Sequence, residues 1–187
     1  ILTAYADMSS MESAINRANV FRFMRKPFEP DEIVRALEQA SADVAQRRDD
    51  LEALYADDEV RAIVCARGGA GAGGLLPLLD PALLRDHPKV LLGCSDITFL
   101  HLFLERLDLV SLHGPMAAGD LASGAYHRGS LRHALFGEEE PYTSAPDELL
   151  ALRPGEGEGL LFGGCLSILA AAAGTPWALR PRSEAAL

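Results

Sequence analysis

The sequence predicts an α/β fold with a parallel sheet, and two patterns in the chain indicate it. Residues 60–66 and 88–93 are short, nearly continuous apolar runs, which are typical of strands buried on both faces of a parallel sheet. Each run ends in a glycine-containing turn and is followed by a helix-like segment, so strands and helices alternate along the chain. That alternation favours a sheet with flanking helices.

Composition limits the classes of function. The chain has 187 residues, enough for one domain, or one and a part, with a substantial core. Seventeen basic and twenty-seven acidic residues leave a net charge of −10, which argues against nucleic acid or an anionic membrane as a partner. No apolar run is long enough to span a bilayer and no signal peptide is recognisable, so we expect a globular, soluble protein. Because the sequence opens on a strand-like run without a methionine, we expect it to be a piece of a longer chain.

The three cysteines, Cys65, Cys94 and Cys165, are an odd number and form no C-x-x-C pair. This pattern favours neither a disulfide framework nor a zinc site, and it fits a reducing compartment. We therefore expect a cytoplasmic protein that holds no metal and no cofactor.

Residues 1–45 predict a β-α-β-α unit. Ile1–Tyr5 is typical of a strand end, Met11–Arg17 of a short helix and Val20–Met24 of a second strand. A longer helix is predicted from Asp31, because a proline precedes it, acids occupy its first turn and apolar residues recur at helical spacing. No glycine or proline interrupts the helical pattern that follows, so no flexible boundary is predicted there.

Residues 88–107 predict a strand, a sharp turn and a helix, with Ser95 at the turn. A serine hydroxyl there can project beyond the sheet edge, where backbone N–H groups at the helix start could stabilise an oxyanion. The alternative is that Ser95 is only the N-cap of the helix. The lipase-type G-x-S-x-G turn is not matched, since Ile97 stands in place of the second glycine.

Two other strand-like runs also end in turns. The loop Arg67–Gly71, with the sequence Arg-Gly-Gly-Ala-Gly, either presents N–H groups to an anion or a substrate carbonyl or is a plain turn. The run that ends at His113 places a histidine after a strand, where a general base could lie. The remaining histidines are interpreted as surface or helix-face residues: His87, His101, His127 and His133.

In their order and spacing, five stretches resemble the LD-carboxypeptidase family of serine peptidases, which includes muramoyltetrapeptide carboxypeptidases and microcin C self-immunity peptidases. They are Val60–Gly71, Pro88–Thr98, Leu112–Pro115, Phe162–Ser167 and Gly174–Trp177. The resemblance implies a flavodoxin-like parallel sheet with flanking helices, followed by the beginning of a second, smaller domain. It divides this part of the chain into a nucleophile-bearing α/β domain over residues 46–140, and a connection with the start of a C-terminal domain over residues 141–187.

The resemblance also implies an activity and a site. Such an enzyme would remove the terminal D-residue from an L,D-linked murein tetrapeptide during cell-wall recycling, or would cleave related peptides; a homodimer is compatible with this. Ser95 would attack the carbonyl, and an oxyanion would be bound by the backbone N–H of Asp96 with that of Gly68 or Gly69. The residues that would contact the substrate are Arg67, Thr98, His113, Gly164 and Cys165.

The chain departs from the family pattern at several positions. Ala70 stands where an aromatic residue is usual, Gly74 where an arginine is common, and Cys165 where the family has an asparagine. A thiol donates and accepts hydrogen bonds only weakly, so we expect a looser corner of the site at Cys165. Cys165 itself could be a nucleophile, but no histidine neighbours it in sequence.

The family's catalytic glutamate and histidine should follow the Gly-Thr-Pro motif, yet Glu184 is the only acid after that motif here. A serine without an activating base is a weak nucleophile at neutral pH. We therefore expect this chain alone to be a poor catalyst.

Residues 1–45 resemble the last third of a response-regulator receiver domain. Thr3 matches the hydroxyl that senses the phosphoryl group, Phe23 the switch aromatic and Lys26 the lysine of the Lys-Pro turn. The acidic residues that would accept phosphate and bind magnesium are missing, so we expect no phosphorylation and expect this block to extend the same sheet. Two alternatives to a peptidase stay open: a non-catalytic signalling or interaction module, and a hybrid of joined fragments.

Overall fold

A computed structural model describes residues 2–3, 24–25, 30–137, 155–156 and 160–180. Some predictions fall outside these residues: the helix Met11–Arg17, the receiver-like positions Phe23 and Lys26, the acid Glu184, and much of the predicted connection over residues 141–187.

The described part of the chain alternates strands and helices, with one 3-10 turn and one π turn. The strands are β1 Leu2–Thr3, β2 Met24–Arg25, β3 Ala62–Val64, β4 Val90–Gly93 and β5 Leu112–His113. The helices are α1 Pro30–Ala56, α2 Ala72–Leu75, α3 Pro81–Asp86, α4 Thr98–Arg106, α5 Arg128–Phe136 and α6 Leu166–Ala172. The 3-10 turn spans Ser95–Ile97 and the π turn spans Ala117–Leu121.

The main sheet is parallel and has the order β3-β4-β5, so the strand that leads to Ser95 is central. Leu92 of β4 lies opposite Leu112 of β5 and Val64 of β3. Helices connect the parallel strands, as this pairing requires. The predicted α/β class with a parallel sheet and flanking helices is confirmed.

Strands β1 and β2 also pair in parallel, with Leu2 opposite Met24, but they form a separate two-stranded sheet. The prediction that residues 1–45 extend the main sheet is therefore wrong for the residues that the structure describes. No hydrogen bonds between the two sheets are found among them.

Strand β3 differs from its prediction in length and burial. It spans only Ala62–Val64, with Ile63 half-buried and Val64 44% exposed. The apolar run predicted a strand buried on both faces, whereas β3 lies at one edge of the described sheet. An edge strand has a neighbour on one side only, so its side chains are covered less completely.

Helix α1 runs without interruption through the predicted junction. Most of its first part is exposed, with Val34 and Leu37 more than half accessible, although Ala36 is buried. Its last part packs on the main core: Val44 and Leu51 are half-buried there and Tyr55 is 1% exposed. The absence of a flexible boundary is confirmed, since one helix joins both parts.

The core lies between the sheet and the helices α1 to α4. Its most deeply buried aliphatic side chains are Leu76, Leu84, Leu91 and Leu104, none more than 2% exposed. Burying each leucine side chain contributes about 1.5–3 kcal/mol. This core fixes β4 and α4 against each other, and the turn that carries Ser95 joins those two elements.

The last described segment closes over α4. Trp177 packs on Phe103 with ring centroids 5.5 Å apart, and the Arg106 guanidinium lies 5.9 Å from the Trp177 ring centroid. Arg106 also donates to the Ala178 carbonyl at 3.3 Å.

No described helix is both long and apolar enough to cross a bilayer.

Candidate active site

Ser95 lies at the turn between β4 and α4, with a left-handed backbone φ of 59°. Such a φ is unusual for a serine and persists only where the surrounding structure fixes it. The side chain is exposed, and the helix that follows has no side-chain cap at its N-terminus. Ser95 is therefore not the N-cap that the alternative interpretation required, and its hydroxyl is free to face solvent.

Gly68 lies directly against Ser95. A Cβ atom built at Gly68 would come within 2.8 Å of the Ser95 Cβ, 3.0 Å of its Oγ and 3.5 Å of the Asp96 nitrogen. No real side chain tolerates such contacts, so only glycine allows this approach. Gly69 next to it has a φ of 138°, which also favours glycine. The structure thus brings the glycine loop, Ser95 and the Asp96 amide together.

Asp96 connects the turn to the glycine loop. Its side chain is 7% exposed, and Oδ2 accepts a hydrogen bond from the Ala72 N–H at 2.9 Å. Ala72 directly follows the loop Arg67–Gly71, so this bond holds the loop beside Ser95. A buried carboxylate with a backbone donor satisfies the requirement that buried polar groups be paired. Arg67, at the start of the loop, is exposed.

The segment after β5 crosses the carboxyl ends of the other two strands. Gly114 donates its N–H to the Gly93 carbonyl at 3.0 Å, and Ala117 donates to the Cys65 carbonyl at 3.0 Å. Ala118 donates to the Ala66 carbonyl at 2.8 Å. These bonds hold the segment against the ends of β3 and β4, and Ser95 follows the end of β4.

Thr98 holds the start of α6 in place. It is fully buried, and its Oγ1 accepts a hydrogen bond from the Cys165 N–H at 3.0 Å. A Cβ built at Gly164, whose φ is 153°, would collide with the Thr98 Cγ2 and lie 3.0 Å from its Oγ1. Thr98 was predicted to contact substrate, but it has no accessible surface in this structure. It touches the Gly164–Cys165 backbone instead.

The Cys165 thiol is set apart from the other two cysteines. The pKa of Cys165 is lowered, mainly by the hydrogen bond between its thiol and the Ser167 side chain. Partial loss of solvation raises this pKa, and backbone hydrogen bonds from Ile168 and Ser167 lower it. Burial raises the pKa of Cys65, with a contribution from Cys94. Burial also raises the pKa of Cys94, with contributions from Asp120 and Cys165. No disulfide joins any of these three cysteines in the structure.

His101 was interpreted as a surface or helix-face residue. It lies on helix α4, but the surface alternative is wrong because His101 is 7% exposed. Its Nε2 lies 3.0 Å from the Gly93 carbonyl oxygen and its Nδ1 lies 2.8 Å from the Ser111 Oγ. The pKa of His101 is lowered, mainly because burial disfavours the charged ring. The hydrogen bond with Gly93 acts in the opposite direction, and the nearby His113 adds to the lowering. A histidine between two leucines, Leu100 and Leu102, was the available signal of burial.

A cavity of about 840 Å³ lies along β5. The predicted substrate contacts His113 and Gly164 line it, whereas Ser95, Asp96 and Gly68 do not. This cavity was not predicted from the sequence, because its walls come from distant segments. They include Ser111, Leu131 and Leu161.

Among the described residues, no histidine or carboxylate is hydrogen-bonded to the Ser95 hydroxyl. The two ring nitrogens of His101 are hydrogen-bonded to Gly93 and Ser111. His127 is hydrogen-bonded to Ser130 at 2.7 Å. The His113 ring lies 5.8 Å from that of His101. The described part of the chain also contains no group of His, Cys, Asp or Glu side chains arranged to hold a metal ion.

Comparison with known proteins identifies related sequences. The model of the LD-carboxypeptidase N-terminal domain matches residues 2–114. A Bacillus subtilis protein named probable murein peptide carboxypeptidase is 39% identical over 143 residues, covering 74% of this chain and 45% of the relative. The murein tetrapeptide carboxypeptidase of Pseudomonas aeruginosa is 36% identical over 140 residues, covering 71% of this chain and 46% of the relative.

A solved structure shows a similar fold. The muramoyltetrapeptide carboxypeptidase of Oxalobacter formigenes superimposes with a TM-score of 0.54 at 23% identity, covering 95% of this chain and 60% of that chain. The chain spans about half the length of the curated relatives that it matches.

Proposed function

The chain belongs to the LD-carboxypeptidase family, and on that premise we propose that it is the nucleophile-bearing part of a serine peptidase. Its substrate would be the terminal L,D-amide bond of murein tetrapeptides or of related peptides. Relatives named murein peptide and murein tetrapeptide carboxypeptidase support this choice of substrate class. The proposal includes a cytoplasmic role in peptidoglycan recycling, and it is compatible with a homodimer.

One observation carries the proposal: an exposed serine with a strained backbone lies against a glycine backbone and a helix-start amide. In the proposed reaction, the Ser95 Oγ attacks the substrate carbonyl carbon and its proton passes to a base. The oxygen that becomes negative is stabilised by the N–H of Asp96 and of Gly68 or Gly69, because preorganised donors act on developing charge. The C–N bond then breaks, the D-amino acid leaves with a proton, and water hydrolyses the acyl-enzyme.

The residues predicted to contact the substrate have two different roles in this proposal. Arg67 and His113 are exposed and would meet the substrate, whereas Gly164 and Cys165 would shape the adjacent wall through Thr98. Activation by a glutamate–histidine pair rests on the family resemblance alone. Since no such pair touches Ser95 among the described residues, the proposal assigns this chain the nucleophile and the oxyanion donors.

Covalent modification of Ser95 tests the proposal. We expect an alkyl fluorophosphonate, at millimolar concentration over hours, to phosphonylate Ser95 with loss of fluoride and a proton. The Ser95→Ala variant should not react, while Ser123→Ala, which alters an exposed serine just after the π turn, should react normally. Modification mapped to another residue, or no modification, would contradict the assignment of Ser95.

Turnover is a separate measurement. With an L,D-tetrapeptide we expect D-alanine release far below an ordinary enzymatic rate of about 1 s⁻¹ or more, because the base is missing from the described site. Any release should disappear in Ser95→Ala. Rapid release would mean that a histidine such as His113 activates Ser95.

The receiver-like origin of residues 1–45 is a further proposal. The parallel pairing of Leu2–Thr3 with Met24–Arg25 agrees with a β-α-β unit. However, the LD-carboxypeptidase model begins at residue 2 and so spans this block as well. Acetyl phosphate with magnesium should leave the chain unmodified, and incorporation of phosphate would favour the signalling alternative.

A further inference from the structure

We propose that His101 is a positioning residue that fixes the Gly93 carbonyl and, through it, the turn that carries Ser95. This inference rests on the proposed function, because it assigns His101 a task in presenting the nucleophile. It goes beyond that function in naming a residue that does not touch the substrate and in assigning its protonation state.

The contacts of His101 determine its tautomer. The Gly93 carbonyl oxygen can only accept a hydrogen bond, so the Nε2 that lies 3.0 Å from it must carry a proton. In the neutral ring Nδ1 is then an acceptor, and the Ser111 hydroxyl 2.8 Å away donates to it. His101 is therefore held from both sides, between the end of β4 and the residue before β5.

Burial supports the neutral form. His101 is 7% exposed, and this loss of solvation lowers its pKa. Neutral imidazole can bridge a carbonyl acceptor and a hydroxyl donor with both nitrogens satisfied. Because both nitrogens are engaged, His101 is not available as the base that would deprotonate Ser95.

The position of the Gly93 carbonyl restrains the backbone that leads into Ser95. This carbonyl accepts two hydrogen bonds, from the His101 ring and from the Gly114 N–H, and Ser95 follows two residues later. A left-handed serine persists only if the chain on both sides of it is fixed. On the far side, Asp96 is fixed by its bond to the Ala72 N–H. His101 supplies the corresponding constraint on the near side.

Hydrogen exchange separates a positioning role from general packing. We compare His101→Leu, which removes the donor, with His101→Gln, whose side-chain amide can again donate to the Gly93 carbonyl. The matched control is Leu104→Ala, three residues further along the same helix and also buried. All variants are first ranked by urea unfolding. Amide exchange is then measured by NMR at Ile97 and Gly114, whose N–H groups donate to the Cys94 carbonyl at 3.2 Å and to the Gly93 carbonyl at 3.0 Å.

We expect His101→Leu to accelerate exchange at Ile97 and Gly114 about tenfold beyond the change explained by global stability, since about one net hydrogen bond is lost. His101→Gln should recover most of the protection, and Leu104→Ala should show no excess at these amides. Equal acceleration in Leu104→Ala at equal loss of stability, or no recovery with glutamine, would overturn the proposal.

The wild-type protein provides a test that does not depend on the folding of variants. Nitrogen-15 NMR of the imidazole should show a neutral ring with the proton on Nε2 at pH 7. A proton on Nδ1 alone would overturn the proposal, because Nε2 could then not donate to Gly93.

Failure of the proposed function can be recognised independently. If wild-type Ser95 does not react with the fluorophosphonate, the assignment of the nucleophile fails, while exchange and tautomer measurements still decide the role of His101. If Ser95 reacts, His101→Leu should lower the maximal rate of modification about tenfold without changing the probe concentration at half-maximal rate. A change confined to that concentration would overturn the positioning role.

Discussion

The two flanks of Ser95 are constructed differently. On the flank toward β3, backbone groups come close to the serine itself: the Gly68 backbone lies against its side chain, and Asp96 bonds the Ala72 N–H. On the flank toward the cavity, the polar side chains form hydrogen bonds with residues other than Ser95. There Thr98 accepts from the Cys165 amide, and His101 bridges Gly93 and Ser111.

This difference separates the two halves of the proposed chemistry. Stabilising an oxyanion needs backbone N–H groups at fixed positions, which a glycine turn and a helix start supply locally. Moving a proton needs a side chain within hydrogen-bond reach of the serine, which depends on residues far apart in sequence. The flank toward β3 therefore supports the first task, and the cavity flank of the described residues supplies rigidity instead of a base.

The largest expected effect is on the cavity flank, at Gly164. In Gly164→Ala the new methyl group would collide with the buried Thr98 side chain, in a backbone conformation that L-residues rarely adopt. Strain and overpacking together should cost about 3 kcal/mol of unfolding free energy. Gly163→Ala is the matched control, because a Cβ there meets nothing within 4 Å.

Urea unfolding of the two variants measures this difference. Equal stability of Gly164→Ala and Gly163→Ala would show that the Thr98 contact is not tight, and the cavity flank would then not be the more rigid one.

The next effect is at Gly68, on the opposite flank. Gly68→Ala would place a methyl group 2.8 Å from the Ser95 Cβ, which cannot move without changing the turn. We expect a loss of about 2 kcal/mol in unfolding free energy, together with loss of fluorophosphonate modification at Ser95. Gly74→Ala, within helix α2 and with open space around it, should be neutral or stabilising by up to about 1 kcal/mol.

Normal modification of Ser95 in folded Gly68→Ala would contradict the close approach of the glycine loop. The contrast between the flanks would then be lost, since neither would contact Ser95.

The sequence predicted the features that depend on local chain geometry. The strand, turn and helix around Ser95 follow from an apolar run, small residues and an amphipathic segment, and the uninterrupted helix α1 follows from the absence of glycine and proline. The approach of the glycine loop to Ser95 needed the family resemblance. Its geometric reason, a missing side chain at Gly68, became visible only in three dimensions.

Features set by distant partners were not predictable. The apolar composition of residues 60–66 indicates burial, yet Val64 is 44% exposed because β3 is an edge strand among the described residues. His101 lies in a leucine-rich helix, but its role depends on the Gly93 carbonyl and on Ser111. Neither partner belongs to its own helix, so helical periodicity could not identify them.

A smaller effect concerns the core beneath the β3 flank. The Tyr55 hydroxyl is buried without a hydrogen-bond partner among the described residues, and burial, with a contribution from Cys65, raises the pKa of Tyr55 to about 12. Tyr55→Phe removes this unpaired group, so we expect the protein to keep its stability or gain up to about 1 kcal/mol. A clear loss in urea unfolding would reveal a hydroxyl contact that supports this flank.

The pH dependence of Tyr55→Phe provides a second measurement. An acid whose pKa is higher in the folded state contributes stability below its unfolded pKa of 10.0, and this contribution is lost as pH rises toward about 12. The difference in unfolding free energy between wild type and Tyr55→Phe should therefore shift in favour of the variant over that range. A constant difference would indicate that Tyr55 is accessible to solvent.

The smallest effect is a change of reactivity at Cys165, on the cavity flank. Its hydrogen bond with Ser167 lowers the pKa of the thiol, whereas burial raises the pKa of Cys65 and Cys94. Since the thiolate is the reactive form, iodoacetamide at pH 7.5 should modify Cys165 first. Ser167→Ala should slow this reaction on the order of threefold, because solvent weakens the effect of an exposed hydrogen bond, and Ser123→Ala should leave it unchanged.

The same comparison at high pH distinguishes the cause. Once the thiol is fully ionised, its pKa no longer limits the rate, so wild type and Ser167→Ala should react alike when followed by mass spectrometry. A difference that persists there would mean that Ser167 controls access to Cys165 and not its ionisation. The cavity flank would then be gated sterically at Cys165, and its contrast with the β3 flank, where glycine leaves Ser95 open, would become sharper.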